Sequence, residues 1–90
     1  MMRYSAGVAA EKTLQRVLDG AADANIRFDD LVNLLHSLGF EMRVRGSHHN
    51  FRKAGVEEKL NLQREGNHAK LYQVRQVRAT ILKYHLGETL

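Results

Sequence analysis

Two adjacent histidines, His48 and His49, lie in the middle of the segment RVRGSHHNFRK, which spans residues 43–53. Basic residues flank the pair on both sides, and a Gly-Ser dipeptide precedes it. Three interpretations are open for such a pair. It can bind a metal, it can perform acid–base chemistry on an anionic substrate, or it can be an ordinary polar stretch of a strand beside a turn.

Metal binding is the least favoured of the three. Adjacent residues of a strand project to opposite faces, so His48 and His49 cannot chelate one ion without a bulge. The chain contains no cysteine and no pair of histidines spaced four residues apart, so neither thiolates nor a helical histidine pair can complete a site. We therefore expect no metal and no cofactor.

Acid–base chemistry fits the surroundings better. Histidine readily exchanges a proton near neutral pH, and nearby cations favour the neutral, proton-accepting ring. Cations would also hold a phosphodiester and stabilise charge developing on phosphorus. Because RNA supplies its own nucleophile, the 2′-OH, one general base with cationic support can cleave it without metal. From the pattern alone, an ordinary polar strand position remains the simpler interpretation.

The charge of the 90-residue chain is unevenly distributed. Residues 1–40 contain four Lys/Arg and five Asp/Glu, whereas residues 41–90 contain ten and five. A basic half favours a polyanionic partner, most often nucleic acid. The length predicts a single domain, 1–90. No apolar run is long enough to span a membrane, and MMRYSAGVAAEKTL lacks the core of a signal peptide. We therefore expect a cytoplasmic protein with no membrane partner.

Apolar spacing predicts three helices. The first covers residues 8–20, the second runs from Phe28 to Leu38, and the third from Tyr72 to Tyr84. Gly20 and Gly39 mark the ends of the first two. The third helix carries three cations on the face that the spacing predicts to be exposed: Arg75, Arg78 and Lys83.

Between the second and third helices the apolar period changes to two, which predicts three short antiparallel strands. Their apolar positions are Phe40, Met42 and Val44, then Phe51, then Leu60 and Leu62. RGS and KAGVE provide the turns. The predicted order is α-α-β-β-β-α, an α+β fold with helices on one face of a three-stranded antiparallel sheet.

Alternation along the second strand separates the two histidines. If Phe51 faces the helices, so does His49, which we expect to be buried with a hydrogen bond, while His48 faces outward. The same alternation turns outward a set of basic and amide side chains: Arg43, Arg45, Asn50, Arg52, Lys59, Asn61 and Gln63. If Glu41 lies at the sheet margin, this face contains no carboxylate. A register slip of one residue would exchange the two histidines.

The segment FDDLVNLLHSLGFEMRVRGSHHNFRKAGVEEKLNLQ, with YQVRQVRATILKY after it, resembles the HicA-type toxins, small mRNA interferases of HicA/HicB toxin–antitoxin pairs. The resemblance covers about residues 26–85. It rests on the leucine-rich helix ending in Gly-Phe, the Gly46-Ser47-His48 turn with Phe51 beyond it, the hairpin and the last helix. It implies a double-stranded-RNA-binding-like α-β-β-β-α fold, to which residues 8–20 add an N-terminal helix.

The resemblance also implies an activity and a partner. The family cleaves mRNA through a histidine in this motif and is silenced by a HicB-type antitoxin. The catalytic role falls on His48, which Gly46 presents at the turn. The predicted substrate-binding residues are Arg43, Arg45, Gly46, Ser47, Asn50, Arg52 and Lys59. Many family members carry Pro-x-His after the third strand. This chain has LQREGNH instead, with Glu65 near the expected position and His68 displaced.

Two alternatives stay open at the level of function. One is a non-catalytic RNA-binding module of the same fold, and the other is a protein whose basic face docks an acidic partner. The N-terminal helix likewise has two candidate roles, because it can cover the core or mediate self-association.

Overall fold

The computed structural model describes residues 5–88 and Leu90, with side chains from residue 8 onward. The first four residues of the N-terminal segment considered above lie outside the described residues. The helices are α1 (Ser5–Asp19), α2 (Phe28–Ser37) and α3 (Leu71–Tyr84), with a single 3₁₀ turn at Asp23–Asn25. The strands are β1 (Glu41–Arg45), β2 (His48–Lys53), β3 (Val56–Leu62), β4 (Arg64–Glu65) and β5 (His68–Ala69).

The architecture is α+β, as predicted, with three helices and a three-stranded antiparallel sheet of order β1-β2-β3. A second, two-stranded sheet of β4 and β5 was not predicted from the sequence. It occupies the stretch LQREGNH, where strands of two residues are too short to show any alternation. Backbone hydrogen bonds from Ala69 to Ile26 and from Phe28 to Asn67, both 2.9 Å, attach this hairpin to the start of α2.

The core is built from all three helices and from β2 and β3, whereas β1 adds only the partly buried Met42. α1 buries Ala10, Leu14 and Val17, so this helix covers the core, one of the two roles predicted for it. From the sheet, Phe51, Leu60 and Leu62 are almost fully buried against side chains of α2 and α3. No helix of the described residues covers the opposite face of the sheet, which is the open face discussed below. Among the described residues, no helix is long and apolar enough to cross a membrane.

A two-residue turn sets the register of β1 against β2. Gly46 has φ +57° whereas Ser47 has a negative φ, the combination of a type II′ turn, in which glycine is favoured at the first position. Arg45 therefore pairs with His48, and Val44 pairs with His49. Because successive residues of a strand alternate between faces, this turn decides which histidine reaches the open face.

Candidate nucleic-acid interface

The two histidines point to opposite faces of the sheet, as the alternation predicts. His48 is exposed on the open face, whereas His49 is half-buried and Phe51 is fully buried on the other side. The ring of His49 packs edge-on against Phe28, with the ring centroids 4.9 Å apart. The predicted hydrogen bond of His49 is wrong, because its Nδ1 is buried with no partner among the described residues. An aromatic contact holds this ring instead.

Asn61 determines which nitrogen of His48 can accept a proton. Nδ1 of His48 lies 3.2 Å from the side-chain oxygen of Asn61 on the neighbouring strand β3. An amide oxygen accepts hydrogen bonds and does not donate them, so Nδ1 carries the proton. The other nitrogen, Nε2, then holds the lone pair and is the basic atom of the ring. Asn61 is a positioning residue that the sequence placed on this face but did not single out.

The turn that presents His48 is attached to the start of α3. The side-chain amide of Gln63 donates to the Ser47 hydroxyl over 3.2 Å. Lys70 Nζ donates to the other end of that amide over 3.5 Å. The backbone N–H of Gln63 donates to the side-chain oxygen of the buried Gln73 over 3.1 Å. These contacts restrict Ser47, although nothing in the sequence pattern links it to α3.

Four cations share the open face with His48: Arg43, Arg45, Arg52 and Lys59. All four are exposed, and none forms an ion pair with a carboxylate of the described residues. Together with Asn50 and Glu41 they line a surface depression of about 580 Å³. Gly46 and Ser47 lie beside it at the exposed turn. All the predicted site residues therefore lie on the open face or on the turn that bounds it.

Glu41 is the first residue of the edge strand β1, yet it belongs to the open face. It pairs with Arg52 in the β1–β2 register and lines the same depression, so the open face does contain a carboxylate. β1 begins at Glu41 and ends at Arg45, next to the turn. The negative charge therefore lies at the end of the strand far from His48. This arrangement makes the His48 end of the face the more attractive one for an anion.

Arg75 and Lys83 of α3 are exposed, as predicted, whereas Arg78 is not. Arg78 is only 22% exposed. It donates to both carboxylate oxygens of Asp23, over 2.8 and 3.1 Å, and to the carbonyl of Val17. Arg75 reaches the same carboxylate over 3.4 Å. These hydrogen bonds, above all those from Arg78, hold the pKa of the buried Asp23 carboxyl below its ordinary value of 3.8, although burial opposes the shift.

Lys83, the third cation of α3, is also engaged. Its ammonium lies 2.8 Å from Glu58 Oε2 on β3, and the hydroxyl of Tyr84 donates to Oε1 over 2.7 Å. These two hydrogen bonds lower the pKa of Glu58 to about 2. The same contact raises the pKa of Lys83. The cations of α3 are therefore occupied within the fold and do not extend the open face.

The remaining histidines do not join His48 in a site. His36 on α2 lies beside the buried Phe51, with the ring centroids 6.0 Å apart. His68 pairs with Glu65 in the second sheet. Within the described part of the chain, no group of three or more histidine, cysteine or carboxylate side chains is placed to hold a metal ion.

Comparison with protein-family models, with curated proteins and with solved structures finds no match for this chain. Functional assignment therefore rests on the geometry and charge of the open face.

Proposed function

We propose that the protein is a metal-independent endoribonuclease that binds RNA on its open face and uses His48 as general base. One observation supports this proposal above the others. The open face combines an exposed imidazole, whose Nδ1 is held by Asn61, with four cations that have no carboxylate partner in the described residues. A polyanion supplies the negatively charged partners that these cations lack. RNA is a polyanion that also carries a nucleophile, its 2′-OH.

The reaction needs only groups of the open face and solvent. Nε2 of His48 takes the proton of a 2′-OH, and the 2′-oxygen attacks the adjacent phosphorus. The new P–O2′ bond forms as the P–O5′ bond breaks, which leaves a 2′,3′-cyclic phosphate and a 5′-oxygen that is protonated by solvent. Arg45, the register partner of His48, neutralises the phosphoryl oxygens, and Asn61 stabilises the imidazolium through Nδ1–H.

The wider role follows from the resemblance of the Gly46-Ser47-His48 turn to the HicA-type toxins. On that basis we propose a toxin of a type II toxin–antitoxin pair that cleaves cytoplasmic mRNA and is inhibited by a HicB-type antitoxin. The double-stranded-RNA-binding-like fold belongs to the same proposal. The order α2, β1, β2, β3, α3 supports it, with the small second sheet as an addition.

A non-catalytic RNA-binding module is the second candidate function. One observation favours it, because the hydrogen-bond partner of His48 among the described residues is a neutral amide. A carboxylate in that place would stabilise the imidazolium more strongly. The segment LQREGNH also favours a non-catalytic module, because it lacks the Pro-x-His that many members of the family carry after the third strand.

Cleavage of a long single-stranded RNA in the presence of EDTA separates the two functions. We expect wild-type protein to cleave in the chelator and His48→Ala to be slower by about 10²–10⁴-fold, the usual cost of losing a general base. The thermal midpoint should stay at the wild-type value because His48 is exposed. His36→Ala, which removes an exposed histidine from α2, is the matched control and should keep full activity.

Two outcomes would contradict the enzymatic proposal. Cleavage that stops in EDTA and returns with added magnesium or zinc would assign the chemistry to a metal. RNA binding without cleavage, equal in wild type and His48→Ala, would select the binding module. Growth arrest on induced expression, absent for His48→Ala, tests the toxin role separately.

A further inference from the structure

β1 is an edge strand with an uncovered side. In the sheet order β1-β2-β3 it pairs, among the described strands, with β2 alone. No backbone hydrogen bond of the described residues outside the ladder involves positions 41–45. An open edge of this kind presents unpaired N–H and C=O groups that can pair with another strand.

The β1–β2 register identifies which backbone groups face the open edge. In a hairpin with a two-residue turn, the residues flanking the turn form a hydrogen-bonded pair, here Arg45 and His48. Hydrogen-bonded and non-hydrogen-bonded pairs then alternate along an antiparallel ladder. Val44 and Met42 fall in the non-hydrogen-bonded pairs, so their N–H and C=O groups point away from β2.

The side chains of β1 are self-complementary about its central residue. On the open face, Glu41 and Arg45 lie at opposite ends of the strand, both exposed and neither in an ion pair of the described residues. On the other face, Val44 is 52% exposed and Met42 is half-buried, so the helices leave this side of the strand partly uncovered. Arg43 lies between the two ends.

We propose that β1 is a homodimerisation edge, at which two copies pair their β1 strands antiparallel about a twofold axis through Arg43. This pairing places Glu41 of each copy opposite Arg45 of the other, and Met42 opposite Val44. Opposite charges and apolar pairs directly across a ladder are favourable. The dimer joins two three-stranded sheets into one of six strands, with both open faces on the same side. The proposal does not rest on the proposed function.

Arg43 is the single unfavourable element of this dimer. The twofold axis brings its two copies opposite each other, and like charges in that position are destabilising. Two opposite-charge pairs therefore act against one like-charge pair. These opposing contributions predict a weak dimer whose population depends on protein concentration. They also predict whether substitution of each β1 charge raises or lowers the dimer Kd.

Sedimentation equilibrium over a concentration series, without RNA, tests the proposal. We expect the wild type to shift from monomer to dimer as its concentration rises. Glu41→Arg and Arg45→Glu each replace the opposite-charge pairs by like-charge pairs and should raise the dimer Kd by about tenfold. The double variant Glu41→Arg with Arg45→Glu restores both pairs and should return the Kd to near the wild-type value. Arg43→Gln removes the like-charge pair and should lower the Kd.

Val44→Pro tests the backbone contribution. Its N–H faces the open edge, so proline there removes no hydrogen bond to β2, a position that edge strands tolerate. We expect a folded monomer by circular dichroism. Should this variant fail to fold, amide hydrogen exchange of the wild type gives the same information, because the Met42 and Val44 amides should become protected as concentration rises.

Three outcomes would overturn the proposal. A wild type that stays monomeric at its solubility limit excludes the dimer. A double variant as weak as the single variants excludes the Glu41–Arg45 pairing. Protection that develops elsewhere, for example at the exposed Tyr72 and Leu82 of α3, assigns self-association to another surface. Because RNA is absent throughout, failure here leaves the cleavage experiment unaffected.

Discussion

The cations of α3 form ion pairs with carboxylates, whereas the cations of the open face form none within the described residues. Arg75 and Arg78 share Asp23, and Lys83 pairs with Glu58. The open-face cations have no such partner among the described residues: Arg43, Arg45, Arg52 and Lys59. Both groups come from the same basic half of the chain. Their packing, rather than their number, distinguishes cations that hold the fold from cations available to an outside anion.

The difference has a physical basis in burial. Asp23 is 7% exposed, and a carboxylate in that environment is stable only when cations and hydrogen bonds compensate its desolvation. The ion pair of Arg78 with Asp23 therefore stabilises the fold by joining α3 to the loop after α1. Neighbouring cations on the sheet repel one another instead, and an anion bound there relieves that repulsion. Three predictions test this contrast, in decreasing order of expected effect.

Removal of the buried carboxylate should have the largest effect. Asp23→Ala leaves the partly buried Arg78 without its partner and should lower the free energy of unfolding by about 2–4 kcal/mol. RNA affinity should not change, because α3 lies outside the open face. Urea denaturation measures the loss, with Asp19→Ala as the control, since Asp19 is exposed and forms no ion pair in the described residues. Equal stability of the two variants would contradict a structural role for Asp23.

Matched charge reversals should separate the two groups of cations. Arg52→Glu with Lys59→Glu should weaken RNA binding on the order of 10- to 100-fold and lower the salt dependence of affinity by about two counterions. Arg75→Glu with Lys83→Glu changes the net charge equally but should alter RNA affinity far less. Fluorescence anisotropy at several salt concentrations compares them. An equal loss in both double variants would show that net charge, not the open face, attracts RNA.

Acid titration should give the smallest effect. The lowered pKa of Glu58 means that its pair with Lys83 stabilises the fold above the ordinary carboxyl value of 4.5. That contribution is lost as the pH falls from 4.5 towards about 2. Thermal midpoints of Glu58→Gln should therefore fall less steeply in this range than those of wild type. A residual slope should remain, because the pKa of Asp23 is lowered too. Parallel profiles would show that the Glu58 pair adds nothing to stability.

The open face was predictable because the core constrains it. Phe51, Leu60 and Leu62 must be buried, and a period of two then sends their sequence neighbours, including His48, to the other side. The three helices were predictable for the same reason, because the apolar residues that each helix must bury recur at helical spacing. Alternation placed Asn61 on the correct face. It could not predict the hydrogen bond between Asn61 and the His48 ring, because that bond depends on how closely the side chains of β2 and β3 approach each other.

Other features depend on contacts between distant residues and could not be predicted. Nothing in the loop AADAN indicates that Asp23 is buried against Arg78, so helical spacing alone made that arginine look exposed. The β4–β5 hairpin depends on bonds to the start of α2. Alternation places Glu41 on the same face as Arg43, but it does not show whether the pairing of β1 with β2 extends as far as Glu41.

The Asp23–Arg78 contact also bears on the kinetics of folding. The strands β1, β2 and β3 follow one another along the chain, so their hairpins close short loops. Asp23 and Arg78 are 55 residues apart. Closing a loop of this length costs more conformational entropy than closing a hairpin, unless formation of the sheet has already brought the two ends of the loop together. The ion pair should therefore form late, after the rate-limiting step. An interaction formed after that step slows unfolding without speeding folding, so Asp23 should chiefly lengthen the lifetime of the folded molecule.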